Sequence, residues 1–90
     1  MPRVRIEFFG VPRQRAGVAA LEIQVTNLTL GSVLHAAAIR LPEFGNRCLD
    51  GQRLKPGLIA NLNGRTFTAD PNATLTDGDS VLILSADVGG

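Results

Sequence analysis

The sequence predicts an α+β domain in two layers: a mixed β-sheet with one helix packed across one face. Three observations lead there. Apolar and polar residues alternate near the N-terminus and again in later segments, which is the pattern of half-buried strands. Between Thr29 and Pro42 the apolar period changes from two to that of a helix. The chain has 90 residues, and a chain of that length buries roughly 60–65% of its unfolded surface, enough for one small core.

In the first strand, Val4, Ile6 and Phe8 point one way and Arg3, Arg5, Glu7 and Phe9 the other. Gly10 to Gly17 carries Gly10, Pro12 and Gly17 around Arg13 and Arg15 and reads as a connection. Leu21 to Thr26 alternates again, with Ile23 and Val25 on one side, and a hairpin with the first strand is the default pairing. Leu30, Val33, Leu34, Ala37 and Leu41 then fall on a single helical stripe, with Thr29 as N-cap and Pro42 as stop. His35 and Ile39 lie on the opposite side of that helix. Glu43 to Gly57 has no clear period and reads as a long loop that hides a short helical turn or is partly mobile.

The second half repeats the strand signals. Leu58 to Leu62 puts Leu58, Ala60 and Leu62 on one face. Asn63-Gly64 follows, a two-residue hairpin signal because both positions tolerate positive φ. Arg65 to Thr68 is the return strand, Asp70-Pro71-Asn72 a turn, and Asp77-Gly78-Asp79 leads into the apolar strand Ser80 to Leu84. The order β-β-α-β-(β)-β is satisfied when the first and last strands lie parallel in the middle of the sheet, with the helix across one face. That arrangement is the β-grasp, or ubiquitin-like, architecture. Residues 1–84 are expected to form this single domain, and 85–90 a flexible C-terminal tail ending in Gly-Gly.

Composition excludes several function classes. Nine Lys+Arg against eight Asp+Glu give a net charge of +1, so no large field draws in nucleic acid or a membrane surface. Trp and Tyr are absent, which leaves little for base stacking. One histidine and one cysteine do not make an ordinary zinc site. The lone Cys48 forms no internal disulfide, which fits a reducing, cytoplasmic setting. The N-terminus lacks the apolar stretch of a secretory signal, and no run approaches transmembrane length.

The side chains that carry chemistry elsewhere have ordinary explanations here. His35 falls on the polar side of the helix. Cys48, between Arg47 and Arg53, has no partner histidine or second cysteine and reads as an incidental thiol. Asp77 and Asp79 flank a turn glycine without the rest of a calcium loop. Arg3, Arg5, Arg13 and Arg15 make the N-terminal side basic, a solvated surface by default. No phosphate-binding glycine loop and no nucleophile elbow occurs.

Gly89-Gly90 remains, closing a short arm that leaves a predicted central strand. Asn63-Gly64-Arg65, then Leu75-Thr76-Asp77-Gly78-Asp79-Ser80-Val81, then Gly89-Gly90 resemble the ubiquitin-like sulfur carriers, which include the small subunit of molybdopterin synthase and the thiamin sulfur carrier. The opening Val4-Arg5-Ile6-Glu7-Phe8-Phe9-Gly10, with Arg13 and Gly17 after it, is similar to the molybdopterin-type members. The resemblance spans nearly the whole chain.

It implies a carrier that is not catalytic alone. An ATP-dependent adenylyltransferase would convert the Gly90 carboxylate to an acyl-adenylate, and a sulfur donor would turn that into a thiocarboxylate. A larger synthase subunit would then receive the sulfur, with no cofactor bound permanently. Glycine suits both terminal positions because a chain without Cβ threads a narrow channel, and Asp87 and Val88 would enter the partner with it. Docking needs a surface as well. The alternation that buries Val4, Ile6 and Phe8 turns Phe9, Ile59, Leu82 and Leu84 to the outer sheet face, an expected partner patch. Rival readings are a ubiquitin-like modifier joined to target lysines, a β-grasp interaction module, and a carrier for thiamin or cysteine synthesis. Lys55 is the only lysine, which disfavours chain-building on this protein.

Overall fold

A computed structural model describes residues 1–86. Five strands form one mixed sheet in the order β2-β1-β7-β5-β6. They are β1 (Arg3–Phe8), β2 (Ala20–Gln24), β5 (Leu58–Leu62), β6 (Thr66–Thr68) and β7 (Ser80–Ser85). β1 and β7 are parallel neighbours at the centre, and every other pairing is antiparallel. The expected β-grasp topology is therefore present, with α2 (Leu30–Arg40) as the covering helix.

Alternation fixes the faces. Val4, Ile6 and Phe8 of β1, Ile23 of β2, and Val81 and Ile83 of β7 all point to one side and are buried. Leu30, Val33, Leu34 and Ala37 of α2 meet them there, fully inaccessible to solvent, while His35 and Ile39 are exposed on the far side. Thr29 caps α2 as expected, its hydroxyl accepting the Ser32 N–H at 3.2 Å. Two more of the helix's orphan donors are served by the segment before β7: Leu30 N–H reaches the Ala73 carbonyl at 2.9 Å and Gly31 N–H the Pro71 carbonyl at 2.8 Å.

The structure adds elements that the sequence reading did not supply. Gly10 to Gly17 is no mere connection: α1 (Val11–Ala16) occupies it, with Pro12 in its first turn and Gly17 as a left-handed C-cap. Glu43 to Gly57 is not one long loop, and the short helical turn expected within it is present as a helix of seven residues. α3 (Pro42–Cys48) is followed by a small hairpin of β3 (Leu49–Asp50) and β4 (Arg53–Leu54). Pro42 ends α2 as expected and also begins α3, where a proline loses nothing because the first N–H has no helical partner. Ser85, assigned above to the tail, closes β7 opposite Leu58.

α3 buries Phe44 and Cys48, four residues apart on one face, and pairs Arg47 with Glu43 at 2.9 Å on the other. It lies so close to α2 that a Cβ on Gly45 would stand 2.7 Å from the Ala38 Cβ. Neither atom sits on a flexible arm, so the helices themselves would have to part. Gly45→Val is expected to cost about 2 kcal/mol, within the roughly 1–3 kcal/mol range of overpacking. Urea unfolding checks this, and an unchanged midpoint would show that the two helices separate freely.

Candidate functional site

β7 carries the chain toward its C-terminus from the middle of the sheet. Its alternate residues Leu82 and Leu84 face away from the helices and are half-buried. Register sets their neighbours: Leu84 lies opposite Ile59, and Leu82 lies between Glu7 and Asn61. Phe9 continues the alternation just past β1. Its N–H donates to the Ile83 carbonyl at 3.0 Å, and its ring is 55% exposed. Ile59, Leu82 and Leu84 alternate with inward residues and lie on the outer face as expected; Phe9, one residue past β1, is exposed.

They are not equally placed. Ile59 and Leu84 join Phe67, Ser85 and Ala86 around a largely apolar surface hollow of about 300 Å³. Leu82 and Phe9 are outside its lining. Phe67, on the edge strand β6 and at 61% the most exposed aromatic residue among those described, was missed from sequence. The reason is register. Asn63 and Gly64 do take positive φ, 56° and 71°, but the ladder pairs Leu62 with Thr66, not with Arg65. A two-residue connection would set Phe67 opposite the buried Ala60; the extra residue sets it opposite Asn61, on the outer face.

The other half of the outer face is charged. Arg3 lies 3.7 Å from Glu22, and Arg5 lies 3.5 Å from Glu7. At the foot of β7, Asp77 and Asp79 make a strand-leading turn, as expected. Asp77 accepts the Arg3 N–H and Asp79 accepts both the N–H and the hydroxyl of Thr76, each at 2.8 Å. Desolvation pushes the Asp79 carboxyl up, but the donors from Thr76 and Asn63 together outweigh it and hold the carboxyl below its ordinary value.

Cys48 is in α3 and buried, not on a loop. Burial raises its thiol pKa despite nearby Arg15 and Lys55, so it is a core residue and a poor nucleophile. Among the described residues no group of three or more His, Cys, Asp or Glu side chains is placed to hold a metal, and no helix is long and apolar enough to cross a membrane. At the other end of β7 the last described link is Ala86 N–H to the Gly57 carbonyl, 2.8 Å. Asp87, Val88, Gly89 and Gly90 lie outside the described residues.

The sequence matches the ThiS family over residues 6–90, from the second core residue of β1 through Gly90. The chain belongs to the ThiS family. This is the ubiquitin-like sulfur-carrier family that the Asn63-Gly64-Arg65 and terminal motifs resemble. Comparison with curated proteins gives no match. Among solved structures, the ThiS-family chain is similar to SAMP1 from Haloferax volcanii, with a TM-score of 0.82 at 20% identity, over 98% of this chain and 99% of that one. It is also similar to a putative molybdopterin converting factor, subunit 1, from Pyrococcus furiosus, with a TM-score of 0.74 at 22% identity, over 94% and 98%. A crystal structure of the Amycolatopsis orientalis BexX/CysO complex matches with a TM-score of 0.72 at 19% identity, over 97% and 99%. At these identities the likenesses establish the shared β-grasp fold.

Proposed function

We propose that this protein carries sulfur as a thiocarboxylate on Gly90 and delivers it in molybdopterin, hence molybdenum cofactor, biosynthesis. The observation that carries this reading is the family match running through Gly89-Gly90, on a scaffold whose central strand ends, at Ser85 and Ala86, beside an apolar hollow. The likeness to a molybdopterin converting factor subunit supports the destination.

A terminal carboxylate has an ordinary pKa of about 3.3–3.7 and is an anion at neutral pH, a poor electrophile. It needs activation. One of its oxygens attacks the α-phosphorus of ATP on an adenylyltransferase and pyrophosphate leaves. Sulfide-level sulfur then attacks the acyl carbon, and AMP departs with the oxygen. The resulting thiocarboxylate is the nucleophile that a larger synthase subunit directs at the pterin precursor. This chain contributes the reacting carboxyl group and the docking face; ATP is consumed at the partner.

The likeness to SAMP1, a small archaeal modifier, favours a second reading in which Gly90 is joined to lysines of other proteins. Both readings share the adenylate. The intact mass of the protein from its native host separates them. A species heavier by the difference between sulfur and oxygen supports the carrier. Conjugates on other proteins, with no such species, would overturn it. Thiamin and cysteine synthesis are other destinations for the sulfur, told apart by which product fails when the gene is deleted.

The hollow gives a separate expectation. Phe67 is exposed on an edge strand, so Phe67→Glu leaves the core alone while placing a charge where an apolar partner surface would sit. Affinity for the adenylyltransferase or the synthase subunit should fall on the order of thirtyfold, about 2 kcal/mol, as for a central interface residue. Titration calorimetry beside a thermal melt checks it; normal melting with wild-type affinity for both proteins would move the docking surface elsewhere.

A further inference from the structure

Nine cations and eight anions nearly cancel over the chain, but they do not cancel locally. β1 and β7 run parallel, so both begin at one end of the molecule and finish at the other. The starting end holds Asp77 and Asp79 in the turn that leads into β7. At the finishing end β1 passes through Gly10 into α1, which packs against both β7 and α3. α1, α3 and the β3–β4 hairpin with the residue after it carry Arg13, Arg15, Arg47, Arg53 and Lys55, five cations against two anions, Glu43 and Asp50.

Three of them converge on the last turn of α3. Arg15 Nη1 donates to the Arg47 carbonyl at 3.3 Å, and Lys55 Nζ donates to the Asn46 carbonyl at 2.9 Å. These are the helix's orphan carbonyls, at the negative end of its dipole, so capping accounts for part of the arrangement. It does not account for all of it. Each cap uses one donor of a multi-donor group. Arg13 is exposed and, among the described residues, forms no hydrogen bond through its side chain and no ion pair. An open hollow of about 510 Å³ lies between α1 and α3, lined by Val11, Gln14, Arg15, Glu43 and Arg47.

The position matters as much as the charge. Lys55 begins the turn whose Gly57 carbonyl accepts the Ala86 N–H, so Lys55 and the last described residue share one corner. The apolar hollow under Ile59, Phe67 and Leu84 opens at the same end of β7, on the other side of the sheet. A protein that grips that hollow at the end of β7 has these cations to meet at its rim, and rim charges steer and orient docking.

We propose that this basic pole, formed by Arg13, Arg15, Arg47 and Lys55, docks an acidic segment of a partner protein with consecutive Asp or Glu side chains. The link to a partner that reaches Gly90 rests on the sulfur-carrier reading; the surface itself is testable without it. The chain's overall charge of +1 and its lack of Trp and Tyr argue against a nucleic acid as the occupant.

The test is a titration of the full isotope-labelled chain with hexaglutamate at low salt, followed by amide chemical shifts. Saturable shifts are expected in α1 and α3. Affinity should fall by roughly tenfold at about 0.3 M salt, where screening is shorter than the ~8 Å of physiological salt. Arg13→Glu with Arg47→Gln should lose the shifts, and Arg3→Glu at the opposite end should keep them. No shifts, shifts spread equally over Arg3 and Arg5, or stronger effects from oligothymidylate or inorganic phosphate would overturn the proposal. The mass measurement on Gly90 is independent, so either can fail alone.

Discussion

A chain lacking Gly90 is expected to form no thiocarboxylate, and to melt at the same temperature as the full chain. The two halves of this expectation come from different parts of the molecule. Among the described residues every buried apolar side chain of the core lies at or before Ile83, and the last described hydrogen bond to the fold is made by the Ala86 N–H. Removing Gly90 leaves every one of those contacts in place. The chemistry has no such reserve. Moving the carboxyl group back by one residue withdraws it about 3.3–3.6 Å, the span of one extended residue, from wherever the full-length chain places it. An acyl-transfer site tolerates far less, because a misplacement of about 1 Å is enough to cost on the order of a hundredfold. Incubation with adenylyltransferase, ATP and a sulfur source, read by intact mass, decides it. Sulfur loaded onto the shortened chain at the wild-type rate would sink the carrier assignment. Loss of loading with a lowered melting point would mean that the C-terminus is part of the fold.

The second large effect is structural. Phe44→Ala should destabilise the protein by about 3–5 kcal/mol. Phe44 is fully buried on α3, and its ring meets that of Phe8 edge to face, centroids 5.0 Å apart at 65°. Such a pair adds about 0.5–1.5 kcal/mol beyond area burial. Domains of this size are stable by roughly 5–15 kcal/mol in total, so the variant stands close to the unfolding threshold. His35→Ala, on the exposed side of α2, should stay within about 0.5 kcal/mol. Paired urea melts compare the two, and equal losses would mean that α3 does not hold its ring against β1.

How much of this was legible depends on how far each signal repeats. β1 and α2 show their period several times over, so Val4, Ile6, Phe8 and the stripe Leu30, Val33, Leu34, Ala37 were assigned to the core, where they lie. α1 has six residues and α3 seven, less than two full turns each. A stripe cannot recur in so short a stretch. In α3 the clues were an apolar pair, Phe44 and Cys48, offset from a charged pair, Glu43 and Arg47, all read as loop because Gly45 and Asn46 stood between them. Phe67 escaped for a different reason: one residue in a turn decides which face a strand presents, and composition does not count turn residues. Phe9, Ile59, Leu82 and Leu84 were found by alternation alone, which reports a face without telling that Ile59 and Leu84 line a hollow while Leu82 does not.

The placement of β7 has a mechanical consequence. A partner that draws the C-terminus into a channel applies force along this strand. β7 is held by β1 on one side and β5 on the other, with every ladder bond lying across the direction of pull. Hydrogen bonds loaded in that way share the force and break together, whereas those of an edge strand peeled from its end break one after another. Each bond contributes only about 0.5–1.5 kcal/mol, yet the array yields as a unit. Tension on the last residues is therefore carried into the centre of the sheet, and the tail can be pulled taut without unravelling the domain behind it. Pulling single molecules from the C-terminus against a fixed N-terminus should show one abrupt rupture; a gradual, stepwise extension would mean that β7 peels.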